Sequence, residues 1–175
     1  MKKKKGVIII FTGNGKGKTT AAIGVALRAS GYGMNTLMIE FIKESGRSGE
    51  QKVCPAVVNN IDVFAFGMGF IFRGDDPRPH MEVAENAWLF VEEMLRSKKY
   101  QILILDELNV VLSLGLLPVQ KVETFLREKD SALHVIITGR DAPRELVKMA
   151  DIVTEMKEIK HAFSEGVPAI QGLDY

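Results

Sequence analysis

The chain has 175 residues, 46% hydrophobic and 26% charged, the balance of a soluble globular protein built as a single domain around one core. Lys plus Arg number 23 against 22 Asp plus Glu, a net charge of +1, so no global field draws in nucleic acid or an anionic membrane, and neither is expected as a partner. A single cysteine, Cys54, excludes an internal disulfide, and with no CxxC pair or Cys/His cluster there is no zinc framework; the expected setting is a reduced, cytoplasmic one.

Lys2 to Lys5 lead into Val7-Ile8-Ile9-Ile10-Phe11, superficially like a secretory leader. The apolar run is shorter than the ~7 to 15 residues a leader needs and enters a glycine-rich loop with no small-residue cleavage site, so residues 1–6 are expected to be a disordered, solvated run. A strand is predicted over 7–12, followed by a helix over 17–30 and a second strand over 36–41. Residues 42–60 begin polar and Gly/Ser-containing and read as a long loop. A third strand over 61–66 gives way to Gly67-Met68-Gly69-Phe70-Ile71-Phe72, part of a second long loop that runs to Pro77. Loops of this length in a compact domain are usually functional, which makes these two the expected substrate-facing parts.

A helix is predicted over 79–97, a strand over 101–106, a helix over 118–129, a strand over 134–138, a helix over 143–149 and a last strand over 152–155. Pro79, Pro118 and Pro143 suit first-turn positions, where a missing N–H costs nothing. The stretch 110–119 is interrupted by Ser113, Gly115 and Pro118 and falls well below the ~20 residues of a membrane span. Short, almost continuously apolar strands alternating with helices describe an α/β fold with a mostly parallel central sheet of about six strands and helices on both faces.

The strongest local signal is Thr12-Gly13-Asn14-Gly15-Lys16-Gly17-Lys18-Thr19-Thr20, after a predicted strand and opening a helix. Glycines there let the backbone turn its N–H groups toward phosphate oxygens, and the helix adds its positive end. Lys18 would reach the outer phosphates and Thr19 would place a hydroxyl on magnesium. The strict pattern asks for glycine where this chain has Thr12; the register from Gly17 onward is intact. The fold is therefore expected to be that of a P-loop NTPase of the RecA-like kind.

A second signal, Ile102-Leu103-Ile104-Leu105-Asp106-Glu107, ends an apolar strand in two acids. A phosphate-loop protein needs a carboxylate at a strand's C-terminal edge for the magnesium shell, and Asp106 is placed for it. Glu107 either orients a water or joins the metal shell. A third, Thr138-Gly139-Arg140, offers a guanidinium that could hold phosphate oxygens or could be an ordinary surface arginine. His134 reads as a structural histidine, and neither it nor His80 has metal-ligand company. Arg28, on the first helix, and the polar 43–49 stretch are candidates for the sugar and base of a nucleotide.

In order along the chain, TGNGKGKTTAA (12–22), EFIK (40–43), GMGFIF (67–72), LILDELN (103–109), VIITGR (135–140) and EMKEIKHAF with a closing GLDY (155–163 and 172–175) resemble the P-loop type of ATP:cob(I)alamin (corrinoid) adenosyltransferase. This family also carries threonine before GNGKGKTT. The resemblance implies transfer of the 5′-deoxyadenosyl group of ATP to the cobalt of a reduced corrinoid, with release of the whole triphosphate. It implies Gly13, Asn14, Gly15, Lys16, Gly17, Lys18, Thr19 and Thr20 on the polyphosphate and Phe70 and Phe72 against the corrinoid. Thr19, Asp106 and Glu107 would serve Mg2+, or Mn2+ in its place, and Lys18, Glu107 and Arg140 would act on the departing triphosphate. It further implies cobalamin or a corrinoid precursor as substrate, an electron donor such as a reduced flavoprotein, and a homodimer. Some relatives carry an N-terminal extension that caps the site; only residues 1–6 precede the first strand here. The competing readings are a P-loop ATPase or small-molecule kinase acting at the γ-phosphate, and a nucleotide switch without catalysis.

Overall fold

Parallel strands need a crossover between each pair, and in this chain the crossovers are helices that bury one apolar stripe against the sheet. The computed structural model describes residues 5–71 and 74–175. Lys2, Lys3, Lys4 and Phe72 lie outside the described residues. In chain order the elements are β1 (Ile8–Thr12), α1 (Lys18–Ser30), β2 (Thr36–Glu40), α2 (Gly49–Val57), β3 (Ile61–Ala65), α3 (Arg78–Leu95), β4 (Ile102–Asp106), α4 (Leu108–Ser113), α5 (Val119–Glu128), β5 (His134–Thr138), α6 (Arg144–Met149) and β6 (Ile152–Glu155), then a 3-10 turn at Ala162–Glu165. The six strands form one sheet in the order β3-β2-β4-β5-β1-β6, every neighbouring pair parallel.

Alternate side chains of the strands feed two cores. On one face Ile10, Leu37, Ile39, Leu103, Leu105, Val135 and Ile137 pack with Trp88 and Val91 of α3, Leu108 and Val111 of α4, Val122 and Leu126 of α5 and Leu146 of α6. On the other, Met38, Ile102, Ile104 and Ile136 meet Ala22, Ala26 and Ala29 of α1 and Cys54 of α2. Three alanines on its buried stripe let α1 lie close to the sheet. β2 and β4 are buried at every position, whereas the edge strand β6 is exposed throughout.

The sheet places its polar residues at one end. Thr12, Glu40, Asp106, Thr138 and Glu155 each close a strand, and the register sets Glu40 beside Asp106 and Thr12 beside Glu155. The carboxyl edge of a parallel sheet, where crossovers depart to opposite faces, is where such folds bind ligands.

Two expectations are corrected. Residues 42–60 are not all loop, since α2 occupies Gly49–Val57. Pro118 and Pro143 stand at the N-cap rather than in the first turn, where their fixed φ still starts the helix. The interrupted 110–119 stretch is the end of α4 and the turn after it, the helix closing at Ser113 before Gly115 takes a positive φ of 70°.

Candidate active site

β1 ends at Thr12, which remains a strand residue paired with Glu155, its hydroxyl accepting the Ala142 N–H at 3.3 Å. The turn glycine is therefore one residue on: Gly13 takes φ 92° and Gly17, φ 110°, just before α1. The glycines also answer a close neighbour. The Gly15 N–H donates to Met156 O at 2.7 Å and Met156 N–H to Thr12 O at 2.8 Å, so the segment after β6 lies backbone to backbone on the loop. A Cβ on Gly13 would come within 2.5 Å of Met156 O, and one on Gly15 within 2.8 Å. Lys18 is buried and its ammonium donates to Gly13 O at 2.9 Å and Gly15 O at 2.8 Å. Burial, with Arg140 nearby, holds its pKa below the usual lysine value despite the opposing carboxylates of Glu107 and Asp106.

Asp106, fully buried at the end of β4, is held from both sides. Its Oδ1 accepts the hydroxyls of Thr19 at 2.8 Å and Thr138 at 2.7 Å, and Thr138 Oγ1 in turn accepts the Glu107 N–H at 2.9 Å. Its Oδ2 makes no hydrogen bond of good geometry but faces the Lys43 ammonium at 3.1 Å. Glu107 leaves the strand with φ 59°, a left-handed conformation that a β-carbon disfavours by about 1 kcal/mol or more, and so starts α4. Its carboxyl is pushed up by burial and by Asp106, against the pull of Lys18, Lys43 and Arg140. Gly139 leaves room for it: a Cβ there would meet Glu107 Oε2 at 3.1 Å. Buried Asn109 donates to Gly139 O at 3.0 Å and so fixes the turn that presents Arg140, itself exposed.

A cluster that sequence reasoning missed adjoins this acid. Lys43 reaches Glu40 Oε1 at 2.9 Å, Asp106 Oδ2 at 3.1 Å and Glu50, while Gln51 Nε2 donates to Glu40 Oε2 at 2.6 Å. Burial raises the Glu40 pKa to about 7, with Lys43 opposing and Glu50 and Asp106 adding to it. For Lys43 burial acts downward, and the three carboxylates outweigh it, holding the ammonium above its ordinary value. The available signal was Glu40 closing an apolar strand, as Asp106 does, with lysine one turn later.

Beside the cluster lies a cavity of about 530 Å³, walled by Ile42, Lys43, Glu44, Arg47 and Ser48 after β2, by Gly69 and Phe70 after β3, and by His161, Ala162, Phe163, Val167, Pro168, Ala169, Asp174 and Tyr175 of the tail. The two loops pack backbone to backbone: the Gly69 N–H donates to Ile42 O at 2.8 Å, and a Cβ on Gly67 would overlap the Ile42 carbonyl carbon at 1.9 Å. Phe70 is 78% exposed at this wall, so it is not a core residue. Lys16 does not turn into the loop as Lys18 does; its ammonium pairs with Asp174. Asn14 and Thr20 are exposed in and just after the loop. Arg28 sits in the last turn of α1, exposed and roughly 14 Å along the helix from Thr19, and is not brought to the loop.

A phosphate loop after β1, a buried acid after β4 and β5 inserted between the two strands define a P-loop nucleotide-binding protein of α/β architecture. Solved structures of the same fold include the cytoplasmic domain of EssC (TM-score 0.56, 15% identity, 97% of this chain and 34% of that one) and a KaiC-like protein from Pyrococcus horikoshii (TM-score 0.55, 14% identity, 89% and 75%). Residues 4–175 match the family described as ATP:corrinoid adenosyltransferase BtuR/CobO/CobP. The chain is 36% identical to the corrinoid adenosyltransferase of a Sinorhizobium species over 174 residues, 98% of this chain and 81% of the relative. It is also 36% identical to that of Escherichia coli K12 over 172 residues, 98% and 87%. The chain belongs to the ATP:corrinoid adenosyltransferase family, a family of transferases.

Proposed function

We propose that the protein transfers the 5′-deoxyadenosyl group of ATP to the cobalt of a reduced corrinoid. The observation that carries this is the sharing of residues between two different surfaces: Lys43 touches the buried acid and lines the apolar cavity, and Asp174 lines the cavity and holds the phosphate loop through Lys16. An ATPase, whose acceptor is water, needs no apolar chamber beside its loop; an enzyme that joins ATP to a large macrocycle does. The Co(I) centre attacks C5′, a Co–C bond forms, and the C5′–O bond breaks with its electron pair leaving on triphosphate. The nucleophile is the substrate metal, so the protein's work is alignment and charge stabilisation.

The loop N–H groups and Lys18 bind the polyphosphate. Thr19 and Asp106, hard oxygen donors already within 2.8 Å of each other, suit Mg2+, or Mn2+ in its place, with Glu107 beside them. When bound, that ion would neutralise charge on the departing triphosphate. Arg140 stands close enough to Lys18 and Glu107 to influence both and is assigned to the same end. Phe70 meets the face of the macrocycle, and Phe72 is assigned beside it by family resemblance. The single domain, the homodimer, the cytoplasmic setting, a reduced flavoprotein as electron source and the lack of nucleic-acid or membrane partners belong to the same reading. Among the described residues no helix is long and apolar enough to cross a membrane.

Anaerobic incubation with Mg-ATP and chemically reduced cobalamin tests it. Adenosylcobalamin and triphosphate in equal amounts, both lost in Lys18→Ala, are expected. ADP and phosphate with an unchanged corrinoid refute the reading and favour the ATPase or kinase.

A further inference from the structure

The segment after β6 touches the phosphate loop at two separated points. At Met156 and Lys157 its backbone lies on Gly13 and Gly15, and near its far end Asp174 takes the Lys16 ammonium. Between these contacts it makes the 3-10 turn at Ala162–Glu165 and supplies one wall of the cavity. Asp174 also organises its own turn: Oδ2 accepts the Ile170 N–H at 2.7 Å, and the Asp174 N–H returns to Ile170 O at 2.8 Å. One carboxylate thus shapes the end of the tail with one oxygen and fastens it to the loop with the other. The two loop lysines have divided duties, Lys18 turned inward and buried, Lys16 turned outward and about half exposed.

We propose that Lys16 and Asp174 form a tether that sets the tail wall of the cavity for the corrinoid, so that Lys16 is a positioning residue for the second substrate. This rests on the reading of the cavity as the corrinoid site. A residue in the ATP loop then controls the fit of the other substrate without touching it.

The test is Asp174→Asn, whose amide oxygen can still accept the Ile170 N–H while the charge is gone. Exposed ion pairs set the scale, and the KM for reduced cobalamin is expected to rise about two- to fivefold with kcat and the ATP KM unchanged. The wild-type KM should climb toward the variant's as salt is raised, because screening weakens such a pair. Asp174→Glu should restore it, and Asp174→Asn made in a Lys16→Ala background should add nothing. An unchanged cobalamin KM, or additive effects in the double variant, overturns the tether while leaving the transferase reading intact. Were the wild type to make no adenosylcobalamin, hydrogen exchange decides instead: the tether requires faster exchange over residues 162–175 in Asp174→Asn, and equal rates overturn it.

Discussion

Lys43→Met removes the ammonium that bridges three carboxylates while keeping an unbranched stem of similar length. Deleting one partner of a fully buried pair costs about 3 to 5 kcal/mol, because the charge left behind has no water. Here the figure falls, since Lys43 keeps 24% of its side chain in solvent and Glu40, with a pKa raised to about 7, can shed its charge by taking a proton. About 2 to 3 kcal/mol is expected at pH 8. The sign with pH follows from the Glu40 carboxyl, whose folded pKa of about 7 lies above the 4.5 of an unperturbed glutamate. Between those values the native state holds more protons than the unfolded chain, so the Glu40 contribution favours folding at low pH and is lost as pH rises through about 7. Without Lys43 that carboxyl rises further and is neutralised at higher pH, so the variant recovers stability on acidification and its deficit narrows by roughly 1 kcal/mol at pH 6. Urea unfolding followed by the fluorescence of Trp88, the only tryptophan and fully buried, measures this directly. A variant as stable as wild type at pH 8, or a deficit that widens on going to pH 6, would refute the reasoning.

Phe70→Ala should leave urea stability within about 0.5 kcal/mol, because the ring is mostly exposed, and should slow adenosylation with ATP affinity unchanged by calorimetry; a large loss of stability would return Phe70 to the core. Lys18→Ala should weaken ATP binding by roughly 30- to 100-fold, the loss of charge-assisted bonds to phosphate, as read by the same calorimetry. Gly24→Ala, in the middle of α1 with nothing within 4 Å of the added carbon, should stabilise by up to about 1 kcal/mol, whereas Gly15→Ala, whose Cβ meets Met156 O at 2.8 Å, should destabilise and impair ATP binding together. Equal thermal shifts in the two glycine variants would contradict the packing of the tail on the loop.

Features set by local chemistry were legible in the sequence. Apolar runs ending in Thr12, Asp106 and Thr138 located three strand ends, and the glycines with Lys18 and Thr19 located the loop, because turn, strand and helix start are all encoded within a few residues. Helix α2 was not legible: Gly49 opens it and Pro55 lies in its interior, so local propensity argues against a helix that Glu50 and Gln51 hold through bonds to Lys43 and Glu40. Lys43 has Glu40 and Glu50 close in sequence, but its contact with Asp106, like that of Lys16 with Asp174, joins residues distant in sequence, and nothing local announces those two partners. Nothing in the local sequence shows that the Lys16 ammonium meets the tail, or that Arg28 lies roughly 14 Å along its helix from Thr19.

The two hydroxyls and one ammonium around Asp106 have a consequence for how the site works over many turnovers. Its carboxylate is already held in one rotamer by the scaffold, so in the proposed metal and nucleotide role it would lose none of the roughly 0.5 to 1.5 kcal/mol that ordering a free side chain costs. The opposite wall is built otherwise, from a tail exposed at nearly every position and fastened at its ends. The proposed triphosphate end of the site is thus cast in the rigid half of the molecule. On the proposed reading, the macrocycle is met by the half that can be reshaped without moving a strand.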